Sequence, residues 1–248
     1  MNKKVSILLL LVLILAPVLI SAQASLPKIS FGLEEAESST DFVLTIQILA
    51  LMTILSLAPS ILIMMTSFTR IIIVFHFLRA ALATQAVPSN QILIGLALFM
   101  TLFIMKPVIS KINDDAFQPF VREEISQAVA IEKAGVPIRQ FMLNQTRDSD
   151  LQLFVNLKGG AEVKAQSDLT LSTIIPAFII SELKTAFQIG FLLYLPMLLL
   201  DIVVASILLS MGMMMLPPVM ISMPFKILLF VLVDGWNLIV KSLVEGFV

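Results

Sequence analysis

The sequence predicts an all-α membrane protein, and three observations carry that reading. Apolar residues make up 58% of 248 positions and charged residues only 13%, where a soluble domain carries about 25% charged residues. The charges are also clustered: none falls in 42–69, 80–105, 185–200 or 202–225. Such runs belong to helices in lipid, or to helices buried all round in a large assembly. Finally, prolines at 59, 196, 217, 218 and 224 interrupt the apolar runs, so the long helices are expected to be partly broken.

Composition also excludes some classes. A net charge of −1 leaves no broad basic surface for nucleic acid. Cysteine is absent, which removes disulfides, thiolate chemistry and Cys-based metal sites.

Taken in order, residues 1–24 read as a secretory signal peptide. Lys3 and Lys4 supply the basic region, 5–20 the apolar region, and Ala22-Gln23-Ala24 a small-x-small cleavage site. The mature N-terminus then lies on the outer side of a bacterial inner membrane. Residues 25–41, SLPKISFGLEEAESSTD, form a polar external arm, with Asp41 placed to cap the next helix. Residues 42–105 form an apolar helical hairpin region. Its first run, 42–69, is long enough to span roughly 30 Å of hydrocarbon, with a kink at Pro59. Arg70 and Arg79 follow with no acidic neighbour, which places that loop on the cytoplasmic side. The segment 92–105 is short for a span unless part of 80–91 joins it.

Residues 106–175 read as a small polar helical domain outside the membrane. NDDAFQPF starts one helix, and SQAVAIEKAG reads as another, stopped at Gly135 ahead of Pro137. DSDLQLFVNLKGG reads as a capped helix with Leu151, Phe154 and Leu157 on one face. Residues 176–248 form C-terminal apolar helices with a Met-rich loop. Hydropathy there predicts two more spans, four in the mature chain, although prolines at membrane depth need protein or a cavity around them.

No motif of enzyme chemistry is present: no phosphate loop, no dinucleotide fingerprint, no HExxH. His76, the only histidine, lies between Phe75 and Phe77. A packed histidine and a proton-transfer role both fit it. Glu182, Lys184, Asp201, Lys226 and Asp234 are ionisable groups within apolar segments, costly to bury and functional by default. Glu182 and Lys184 are two apart and do not face each other on a helix. Interchain salt bridges and a proton or solute path are both open readings for the five.

The stretch SMGMMMLPPVMISMP, 210–224, holds six methionines and three prolines. Gly212 and Pro217-Pro218 favour a backbone break there. Met adapts to irregular contacts. It can fill a core, or line an apolar, compressible ring where copies meet around an axis.

Several long blocks, TSFTRIIIV, PSNQILIGLALFMTLFIM, KINDDAFQPF, FMLNQTR, TIIPAFIISELKTAFQIGF, DIVVASILLSMGMMMLPPVMISMPFK and LFVLVDGWNLIV, carry a strong resemblance to the FliP family of flagellar export-gate proteins, over about 42–247. The resemblance implies a non-enzymatic pore component without cofactor or metal. It implies further copies of the chain, as a pentamer, together with FliQ, FliR and FlhB, and unfolded flagellar subunits as cargo. Met213, Met214 and Met215 match the triplet that seals the channel. Glu182 and Lys184 become candidate intersubunit contacts, and Phe141 and Phe154 match aromatic positions supporting packing or assembly in the external domain. The family's assembled helices form a cone at or above the outer membrane face, which revises the four-span reading. The competing function is an ion or small-solute transporter using the buried charges. The first expected outcome is signal removal: intact-mass measurement on the purified mature protein should find Ser25 at the N-terminus, and a Met1 terminus would overturn the assignment.

Overall fold

The structure is a computed structural model describing residues 39–84, 86–158, 169–213 and 215–247. The signal peptide, most of the external arm and Met214 lie outside the described residues. The described residues divide into two units, one ending at Met52 and the other beginning at Thr53. Among the described residues every regular element is helical: α1 Ser39–Met64, α2 Phe68–Ala81, α3 Asn90–Ile112, a π-helical turn Asn113–Phe117, α4 Gln118–Val121, α5 Gln127–Gln145, α6 Asp148–Leu157, α7 Leu171–Ser210, α8 Pro218–Leu232 and α9 Gly235–Glu245.

Helix α1 starts two residues before Asp41, which therefore lies in its first turn and not at its cap. Apolar side chains such as Leu49, Ile54 and Leu55 stand exposed on it. Helix α2 is the centre of the larger unit. Ile71, Val74, Phe75 and Leu78 recur at helical spacing and are all buried. They form a core with residues of α3, α7, α8 and α9. Arg70 is buried too. The loop expected around Arg70 and Arg79 is thus a packed helix, and Arg70 drops out of the charge count that sets topology.

Helix α3 lengthens in the direction opposite to that expected. It does not recruit 80–91. It runs on through Lys106 and the π-helical turn into α4, a 32-residue apolar helix from Asn90 to Val121. The boundary expected at 105/106 is therefore the interior of a helix, and NDDAF is a mid-helix π bulge, a local widening with i→i+5 bonding. Helix α5 likewise continues past Gly135 and carries Pro137 inside it. Pro137 is buried and Met142 is in the second core, with Leu169, Ile174 and Phe178. Tertiary packing there overrides the local breakers.

The boundary expected at 175/176 likewise falls within a helix, because Pro176 lies inside α7. Neither Pro196 nor Asp201 interrupts that 40-residue helix. Its length is about 60 Å at 1.5 Å per residue, twice the roughly 30 Å of a bilayer core. Helices α8 and α9 meet at a 63° bend, where Asp234 takes a left-handed conformation, φ 51°. Among the described residues two unbroken helices are long and apolar enough to cross a membrane, with the bent α8–α9 pair a third candidate. Three of the four spans expected from hydropathy thus have candidates in α3, α7 and the α8–α9 pair among the described residues, and the first falls on α1.

Helix α2 packs most extensively against α7, and Gly190 permits the approach. A methyl group there would run into the Phe77 ring, which itself meets Phe187 edge-on at 5.2 Å. Gly190→Ala should destabilise the chain by about 1–3 kcal/mol through overpacking, and Gly190→Val by more. Thermal unfolding in detergent checks this; an unchanged melting temperature would mean that α2 and α7 are not held this closely.

Candidate functional site

Among the polar contacts that join the described helices, three clusters are at least partly buried, and the Met-rich turn stands apart from them. The deepest cluster is built on Arg70. Its Nε donates to Glu182 Oε2 at 2.9 Å, and its Nη2 pairs with Glu182 Oε1. This is the two-pronged guanidinium–carboxylate geometry, the strongest arrangement available to the pair. Nη2 also donates to Gln145 Oε1 at 3.1 Å, and Nη1 to the Gly246 carbonyl at 3.0 Å. The guanidinium carbon sits 3.7 Å from the centroid of the Phe247 ring, a cation–π contact. Phe247 stacks on Phe141, and Phe141 meets Phe178 edge-on at 6.0 Å. One buried cation thereby fastens α2, the end of α5, α7 and the segment after α9.

Glu182 therefore has its partner within the chain, not in a neighbouring copy, and is itself fully buried. Lys184, two residues on, is exposed, since a helix turns the two sites apart. The structure brings Phe141 to the Arg70 cluster. Phe154 is half-buried on α6 and does not join it.

The second cluster ties α6 to α7. Ser181 Oγ donates to Asp150 Oδ2 at 2.8 Å and accepts the Arg147 backbone N–H at 3.0 Å. The third joins α7 to α8. Lys226 Nζ donates to Asp201 Oδ2 at 2.7 Å, and Ser222 donates to the other carboxylate oxygen. The Lys226 side chain is only 2% exposed. Asp234, the remaining charge expected inside an apolar segment, is exposed at the bend. His76 is exposed as well, with its Nδ1 3.2 Å from Arg79 Nη2.

The turn after α7 is shaped by Gly212. The Gly212 N–H bonds to the Leu209 carbonyl at 3.0 Å, and the Met213 N–H to Leu208 at 2.9 Å. With Gly212 at φ +76°, this is the Schellman ending, whose left-handed position suits glycine. Helix α8 then opens on Pro218 at its first position, where the missing N–H costs nothing. Between these two stops Met213 is 45% and Met215 98% exposed.

Sequence reasoning missed Arg70, Gln145, Asp150, Ser181 and Ser222. A signal for Arg70 was present: a lone cation inside SFTRIIIVF, with no acid in 42–105, needs a distant partner.

Comparison with known proteins decides the family. The FliP family model matches residues 51–243. The chain belongs to the FliP family. It is 59% identical over 203 residues to the flagellar biosynthetic protein FliP of Bacillus subtilis (strain 168), covering 82% of this chain and 92% of that one. The FliP proteins of Pectobacterium carotovorum subsp. carotovorum and Aquifex aeolicus (strain VF5) are each 52% identical, over 82% of this chain and 79% and 86% of theirs. As a FliP-family member the chain is a membrane protein of flagellum biogenesis and flagellar protein export. The family match takes in Arg70, Glu182, Asp201 and Lys226, and ends before Gly246 and Phe247.

Removing one partner of a buried ion pair strands the other charge. Glu182→Gln and Arg70→Met should each cost about 3–5 kcal/mol, and the apolar double replacement Arg70→Met/Glu182→Leu should cost less than the sum. Lys184→Glu, at an exposed site, should change the chain's own stability by about 0.5 kcal/mol or less. Thermal unfolding and size-exclusion profiles check both. Equal losses from Lys184→Glu and Glu182→Gln would remove the distinction drawn between these sites.

Proposed function

We propose that the chain is a pore-forming subunit of the flagellar export gate, passing unfolded flagellar subunits across the bacterial inner membrane, with its polar domain on the periplasmic side. Several copies, a pentamer, assemble with FliQ, FliR and FlhB, and Met213, Met214 and Met215 from neighbouring copies close the channel at rest. The observation that carries this reading is the exposure of the Met-rich turn. Met215 is 98% and Met213 45% exposed, so neither fills this chain's own core. Flexible thioether side chains held out on a fixed turn suit a contact that must yield and close again.

Two further features support an assembled gate. Phe191, Leu192 and Leu199 stand exposed on α7, an apolar face that a neighbour or lipid must cover. A helix of about 60 Å also exceeds one bilayer core, as expected of helices that bury one another beside the membrane. Lys184, Phe141 and Phe154 remain assigned to assembly, Lys184 by direct contact and the aromatics by supporting the external domain.

A transporter using Asp201 and Lys226 is the second reading. The charged cavity next to that pair favours it, but the two charges already satisfy each other at 2.7 Å. Replacing Met213, Met214 and Met215 with alanine should leave assembly intact and raise ion conductance of the closed complex, with export partly retained. Unchanged conductance in a correctly assembled mutant would return the methionines to packing. Solute uptake by the chain alone would favour the transporter.

A further inference from the structure

A cavity of about 510 Å³ opens between the end of α2, the middle of α7 and the start of α8. Neither the ionic clusters nor the Met-rich turn accounts for it. His76, Arg79 and Ala80 reach it at the i, i+3, i+4 spacing of one helical face, and Tyr194 and Asp201 at a spacing of seven on α7.

Its polar groups are mostly donors. Asp201 is occupied at both oxygens, by Lys226 and by Ser222. Lys226 is almost fully buried, lines the cavity and spends one of its three N–H groups on Asp201. Arg79 has no carboxylate partner among the described residues. Its Nη1 donates to Asn90 Oδ1, and its Nη2 meets His76 Nδ1 at 3.2 Å. Arginine has no acceptor, so His76 Nδ1 is the acceptor here and a neutral ring carries its hydrogen on Nε2. Tyr194 adds a hydroxyl with no partner among the described residues. Arg79 and Lys226 against Asp201 leave the cavity with one net positive charge.

The rim is apolar. Val219 lines the cavity and is 48% exposed. Leu198 lies four residues after Tyr194 and three before Asp201, hence on their face of α7, and is also exposed. Unused donors with one net positive charge inside an apolar rim match a ligand with an anionic head and hydrocarbon tails.

We propose that this cavity binds the phosphodiester headgroup of an anionic membrane phospholipid through Arg79, Tyr194 and the free N–H groups of Lys226, with acyl chains along Leu198 and Val219. The inference holds whether or not the Met-rich turn seals a pore.

The test uses the full-length protein, purified in detergent with the copies and partners it carries. Phosphatidylglycerol or phosphatidylcholine is added, and retained lipid is counted by native mass spectrometry. Phosphatidylglycerol should be retained in preference. Arg79→Gln and Tyr194→Phe should each lower its retention about tenfold, since each removes a hydrogen bond to the charged phosphodiester. Arg79→Lys should retain more than Arg79→Gln. Tyr194→Phe breaks no hydrogen bond among the described residues, so it remains informative if Arg79 variants unfold. Equal retention of both lipids overturns the proposal. So does undiminished phosphatidylglycerol retention in Tyr194→Phe and Arg79→Gln. A thermal shift with inorganic phosphate but none with phosphatidylglycerol would overturn the lipid source. Loss of assembly in Arg79→Gln, with no lipid retained by the unaltered protein, would assign the cavity to an acidic group of a neighbouring chain.

Discussion

The guanidinium of Arg70 is a permanent positive charge held almost out of reach of water. Stripping an ion of its hydration costs several kcal/mol even after the protein relaxes. The surrounding architecture answers that cost. A carboxylate comes from α7, an amide from the end of α5, a backbone carbonyl from beyond α9, and an aromatic face from Phe247. No element can shift far without withdrawing one of these. Phe141 matters for the same reason: it holds the ring that covers the cation.

The molecule divides its stabilising interactions by kind. The directional contacts on Glu182, Ser181 and Asp201 lie buried or half-buried, and they fix which helices meet. The apolar surface is unselective, and much of it stays uncovered in a single chain, along α1, α7 and α8. Lipid tails and neighbouring helices satisfy such surfaces about equally well, so the apolar faces alone do not select a partner. Selection falls to the embedded polar groups and to shape. The Met-rich turn combines the two kinds: its backbone is pinned by glycine and proline, while its side chains remain adaptable.

The helical class was legible because charge-free runs of this length leave little alternative. The Gly212 break and the pause at Pro217-Pro218 were legible for a local reason, since both act through the residue's own backbone. What hydropathy could not show was continuity. Asp201 looks like a boundary on a hydropathy count, yet α7 passes through it, because Lys226 and Ser222 on the neighbouring helix donate to its carboxylate. Both ends expected for the polar domain fall inside helices, α3 and α7, a continuity that hydropathy likewise does not show. The match of Glu182 with Arg70 was beyond local reasoning, because pairing across 112 positions leaves no periodic trace. Lys184 looked equivalent to Glu182 in sequence and is its opposite in burial.

The Arg70 cluster also imposes an order on the chain's manufacture. Its contributors are separated from Arg70 by 75, 112 and 176 positions. A ribosome therefore releases the cation long before its acid, and the capping carbonyl last of all. Throughout that interval the growing polypeptide carries an unquenched charge at the heart of what will become its tightest packing. The α2 region must wait, in water or against a headgroup layer, until α7 emerges with Glu182. A message cut short before codon 246 would yield a chain that keeps Glu182 and Gln145 on the guanidinium but lacks the Gly246 carbonyl and the Phe247 ring that complete its shell.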